Sequence, residues 1–74
     1  MSGETIREFL HAAPFVPFTI HTADGKSYTV DHPDFATLSR DGRVLVVNLE
    51  GSRFAWVDLA LATRAEKENI DQPA

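Results

Sequence analysis

The stretch FTIHTADGKSYTV, residues 18–30, alternates apolar and polar side chains on both sides of an Asp-Gly pair. Phe18, Ile20 and Thr22 alternate with Thr19, His21 and Ala23, and Tyr28 and Val30 alternate with Ser27 and Thr29, which is the period of two expected of paired strands. A two-residue Asp24-Gly25 loop would set Thr29 against Ile20 and Asp31 against Phe18, mixing polar and apolar groups on one face. A three-residue loop, Ala23-Asp24-Gly25, pairs Phe18 with Val30, Ile20 with Tyr28 and Thr22 with Lys26. Gly25 then takes the left-handed position that such a loop demands.

Further along, Arg40-Asp41-Gly42 lies between Ala36–Leu38 and Arg43–Leu49, and Leu49-Glu50-Gly51 lies before Ser52–Val57. Applying the same loop length to both predicts that Ala36, Leu38, Val44, Val46, Phe54 and Trp56 share one interior face. Phe35, Leu45, Val47, Ala55 and Val57 fall on the other, so the Val44–Val47 strand is apolar on both sides. Each side needs cover from the N-terminal helix, a curled-over sheet or a second copy of the chain.

Upstream, Ile6, Phe9, Leu10 and Ala13 recur at helical spacing, with Ser2 or Thr5 as N-cap and Pro14 as the stop. Downstream, Asp58 can cap a turn at Leu59–Ala62, and residues 59–69 read either as a helix, which propensity favours, or as a turn plus a last strand. The expectation is one mainly β domain over residues 1–66, all-β or α+β: an N-terminal helix followed by an antiparallel hairpin meander. An open antiparallel sheet with a C-terminal helix is the alternative. Residues 67–74 offer little to bury and are expected to fray.

The 74 residues are 43% apolar and 24% charged, an ordinary globular balance. With no cysteine, disulfides, thiol nucleophiles and Cys-based zinc sites are excluded, and a chain this short leans on other support, such as a partner subunit. Met1–Ala13 is not built like a secretion signal, and no apolar run could cross a bilayer, so the chain reads as cytoplasmic. Seven basic against eleven acidic residues, a formal charge of −4, disfavour diffuse attraction to nucleic acid or to a membrane surface.

The motifs Pro14-Phe15-Val16-Pro17-Phe18, the Asp-Gly hairpin, His32-Pro33-Asp34-Phe35, Ser39 with Asp41-Gly42-Arg43, and Val57-Asp58-Leu59 resemble a group of short uncharacterised bacterial proteins. The resemblance spans residues 5–66 and implies no activity. In shape, a helix, hairpin strands, a turn near Asp58 and a closing strand are similar to small SH3-like and Sm-like barrels. That similarity implies assembly through strand edges. The Phe54–Asp58 segment lacks the glycine with which Sm proteins hold bases.

Asp31, His32 and Asp34, with His21 on the preceding strand, are the densest ionisable group and the only candidate metal ligands. The competing reading makes Asp34 the cap of a helical turn Phe35–Leu38 and packs the His32 ring over Phe18. No serine has a nucleophile setting and no glycine loop resembles a phosphate cradle, so neither catalytic nor cofactor-binding residues are assigned. Arg40, Arg43 and Arg53 are the candidate nucleic-acid contacts. Trp56 and Tyr28 would stack bases if exposed, but the pairing places both inside. The leading expectation is a non-enzymatic binding or assembly module acting through protein–protein contacts, self-association above all. Leu45, Val47 and Val57 are its expected contact residues. A nucleic-acid-binding regulator and a small metal-binding protein are the alternatives.

Overall fold

The computed structural model describes residues 1–67. Helix α1 (Gly3–His11) leads into strands β1 (Phe18–Thr22) and β2 (Ser27–Val30), and a 3-10 turn at Pro33–Phe35 is followed by β3 (Ala36–Leu38). Strands β4 (Val44–Asn48) and β5 (Phe54–Asp58), a second 3-10 turn at Leu59–Leu61 and β6 (Ala62–Lys67) complete it. The strands form two antiparallel three-stranded sheets, ordered β2-β1-β6 and β3-β4-β5. The fold is thus mainly β, as expected, and first and last strands lie side by side. Among the described residues, no helix is long and apolar enough to cross a membrane.

The two sheets turn one face each toward a common core. Phe18, Ile20 and Val30 come from the first sheet, Leu45, Val47 and Val57 from the second, Ile6 from α1 and Leu59 from the second 3-10 turn. Burying each large side chain contributes ~1.5–3 kcal/mol against leaving it in water. The ring of Phe9 on α1 meets Phe18 edge-on, with centroids 5.2 Å apart. Ser2 caps α1 by accepting from the Glu4 amide. The helix start lies so close to the β3–β4 turn that a Cβ on Gly3 would stand 2.5 Å from the Gly42 carbonyl oxygen. Only glycine allows that approach.

The first hairpin follows the expected register, Phe18 with Val30 and Ile20 with Tyr28. The Thr22 amide donates to the Lys26 carbonyl across the three-residue loop, and Gly25 has φ +86°. The second Asp-Gly turn has the same chemistry. In both, a hydroxyl (Thr22, Ser39) donates to the aspartate two residues on (Asp24, Asp41), which also accepts from the amide of the basic residue after glycine. The loops nevertheless differ by one residue. The Ser39 hydroxyl also accepts from the amides of Arg43 and Val44, and the ladder resumes at Val44, whose carbonyl accepts from the Ser39 amide. Arg43 is left outside the ladder, and its carbonyl accepts from Leu59 instead.

A one-residue slip moves every side chain to the opposite face, and this one corrects the expected interior. Leu38 pairs with Leu45 and Ala36 with Val47, while Val46 stands between Thr37 and Trp56. The β4–β5 loop is Glu50-Gly51-Ser52 rather than Leu49-Glu50-Gly51, a register change of two that preserves which side chains share a face. The interior is therefore Leu45, Val47 and Val57 with Ala36 and Leu38 beside them. Phe54 and Trp56 point outward.

Two alternatives left open by the sequence are decided. Residues 62–67 are strand rather than helix, because pairing with β1 (Ile20 with Ala65, Thr19 with Glu66) overrides the propensity of Ala, Arg, Glu and Lys. Lys67 belongs to this strand; the remainder of the expected tail, 68–74, lies outside the described residues. The turn after Pro33 ends at Phe35, and Ala36–Leu38 is strand.

Candidate functional site

On the outer face of the β3-β4-β5 sheet, the apolar character of β4 meets solvent. Val44 and Val46 are half-buried there, Phe54 is 58% exposed and Trp56 is 76% exposed. Exposed single hydrophobics are ordinary, but a cross-strand group that includes the chain's one tryptophan is the kind of surface that marks a contact site. Leu61, on the 3-10 turn after β5, is 54% exposed and borders the same region.

Trp56 walls two hollows. The larger, about 610 Å³, is lined by Val44, Trp56 and Leu59 together with Asp41, Arg43 and Asp58. The smaller, about 70 Å³, lies among Trp56, Tyr28 and Leu61, with Asp24 and Asp58 at its rim. Hydrogen bonds from the Ser39 hydroxyl and then the Arg43 amide hold the Asp41 carboxyl below its ordinary value of 3.8. The Thr22 hydroxyl and the Lys26 amide do the same for Asp24. Asp58 accepts from the Ala60 amide at 3.0 Å, capping the turn that carries Leu59 and Leu61. All three aspartates are thus tied to turn backbones, and they fix negative charge around the indole.

The expected site residues are distributed otherwise. Leu45 and Val47 are wholly buried and Val57 is 3% exposed, so they belong to the chain's own core and present no surface to a second copy. Trp56, expected inside, is out, whereas Tyr28 is half-buried and packs against the core. His21 reaches neither His32 nor the aspartates of the Asp31–Asp34 loop by hydrogen bond. Its Nε2 lies 2.9 Å from Glu66 Oε1 on β6 and its Nδ1 lies 3.3 Å from the Ser27 hydroxyl. His32 accepts from the Asp34 amide at Nδ1, capping the 3-10 turn, and its ring lies 5.6 Å from that of Phe35 rather than over Phe18. Asp31 is exposed and forms no ion pair among the described residues. No group of three or more His, Asp or Glu side chains gathers in a metal-binding arrangement among them.

Arg40, Arg43 and Arg53 are all exposed but face different neighbourhoods. Arg40 joins Arg7 and His11 at a hollow between α1 and β3, Arg43 lines the larger Trp56 hollow, and Arg53 follows the β4–β5 loop. Reasoning from sequence misses Glu66 and the outward Phe54 and Trp56. The signal for the latter is the parity of the β3–β4 loop, which depends on where the Ser39 hydroxyl bonds.

Comparison with protein-family models, with curated proteins and with solved structures finds no match to this chain.

Proposed function

We propose that the chain is a non-enzymatic binding module that engages a protein partner through the outer face of its β3-β4-β5 sheet. The observation that carries this reading is Trp56, a large aromatic held outward and lining two hollows, on a sheet whose opposite face carries Leu45, Val47 and Val57 into the core. Tryptophan is among the commonest residues to dominate contact energies, because it buries much area at small entropic cost. The two sheets, joined by the turn at Pro33–Phe35 and closed by β1 against β6, support reading the fold as a small SH3-like barrel in which β2 and β3 are halves of one bent strand. The test is affinity capture with the native chain and with a folded Trp56→Ser, Phe54→Ser variant. The reading predicts a stoichiometric protein, or a second copy of the chain, that the variant loses; identical profiles contradict it.

A second reading, a nucleic-acid-binding regulator, gains support from the same exposure, since Phe54 and Trp56 would offer bases a stacking surface. The aspartates around Trp56 oppose it by repelling phosphates. A titration with single-stranded RNA decides: saturable binding that weakens with salt and needs Trp56 would favour it, and no association removes it.

A further inference from the structure

The small hollow beside Trp56 joins Trp56, Tyr28, Val57 and Leu61 to Thr22 and two carboxylates, Asp24 and Asp58, and among the described residues no basic side chain lines it. At about 70 Å³ it has room for the head of one side chain rather than for a metabolite. The larger hollow, which Trp56 also lines, brings the apolar Val44 and Leu59 together with Asp41 and Arg43.

We propose that the partner engaged here is a basic, partly apolar protein segment, which seats an arginine or lysine head against Trp56 between Asp24 and Asp58 and lays a neighbouring apolar side chain into the Val44–Leu59 hollow. This inference rests on the outer-face reading and adds the chemistry of the partner. A cation over an indole face is attracted by the ring quadrupole, and the guanidinium also stacks flat upon it. Two carboxylates at the rim supply hydrogen-bond acceptors for the donors that the ring leaves free. Asp24 is kept ionised by its turn hydrogen bonds, so the charge is in place before anything binds. The formal charge of −4 attracts such a segment from a distance. It argues against a second copy of the chain docked face to face, which would bring Asp24, Asp41 and Asp58 against the same three residues.

The probes are two short blocked peptides, one alternating valine with arginine and the other valine with glutamate, titrated into the full chain. Trp56 fluorescence and calorimetry are the readouts, with sedimentation run in parallel. The arginine peptide is expected to bind saturably and about ten-fold more tightly than the glutamate peptide, with affinity falling as salt rises. Asp24→Asn and Asp58→Asn retain an acceptor oxygen for the turns and are each expected to lower that affinity about three- to five-fold, and Trp56→Ala about ten-fold. Circular dichroism of each variant separates a binding effect from loss of fold. Equal affinity for the two peptides, or no binding of the arginine peptide, overturns the basic-partner inference. If Trp56→Ala then still abolishes binding of the glutamate peptide or self-association, the outer-face reading stands alone. If Trp56→Ala changes nothing in any readout, both fall.

Discussion

Trp56 on β5 stands directly opposite Val46 on β4, and both side chains face away from the core that Leu45 and Val57, the next pair along, help to fill. The functional account depends on this division of one apolar strand between two faces.

The division predicts opposite responses to truncation. Leu45→Ala removes a side chain with no exposed surface and is expected to cost about 2–5 kcal/mol, a large share of the ~3–5 kcal/mol that a core this small supplies. Trp56→Ala is expected to change stability by no more than about 0.5 kcal/mol. Urea unfolding of both variants, followed by circular dichroism, checks the contrast.

The Gly3–Gly42 approach is equally open to measurement. In Gly3→Ala the new methyl meets backbone, which cannot rotate away, so α1 must shift from the β3–β4 turn. The expected loss is about 1–3 kcal/mol, read as a lower urea midpoint. An unchanged midpoint would mean that the helix start is not held against Gly42.

Ser39→Ala tests the device that sets the β4 register. The hydroxyl accepts from the Arg43 and Val44 amides and donates to Asp41, so its removal takes the Val44 amide's partner and leaves the Arg43 amide and the Asp41 carboxylate with each other alone. About 0.5–1.5 kcal/mol of stability should be lost. Amide exchange should quicken at Val44 more than at Leu45, whose pairing with Leu38 and Val57 is independent of the hydroxyl.

The fold was most readable where alternation and loop chemistry agreed. In residues 18–30 a three-residue loop keeps Phe18, Ile20, Tyr28 and Val30 together where a two-residue loop would not, and that register is the one formed. In β4, Val44-Leu45-Val46-Val47 is apolar on both faces, so no polar residue penalises the slipped pairing and the decision passes to two hydrogen bonds at Ser39. The outward position of Trp56, and with it the candidate site, was hidden for that reason. In β6, local preference and long-range pairing conflict, and the neighbouring strand prevails.

Acid should weaken the fold through three carboxylates. Glu66 lies below its ordinary 4.5, chiefly through its hydrogen bond with His21 and then the nearby Arg64 charge; Asp24 and Asp41 lie below 3.8 for the reasons given above. A carboxyl whose value is lower folded than unfolded stabilises the fold above the unfolded value, and that contribution is lost as pH falls through the folded one. Stability should therefore decline from about pH 4.5 downward, and Glu66→Gln should flatten the upper part of that decline. A Glu66→Gln profile parallel to the native one would show that the His21–Glu66 contact does not form in solution.

Acrylamide quenching of tryptophan fluorescence, at a dilution where the chain sediments as a monomer, tests the central claim most directly, since Trp56 is the only emitter of its kind. The account predicts quenching nearly as efficient in the folded chain as in urea, with little shift in emission on unfolding. A blue-shifted emission protected from acrylamide in the folded monomer would place Trp56 in the core and contradict the register, the binding face and the proposed partner together.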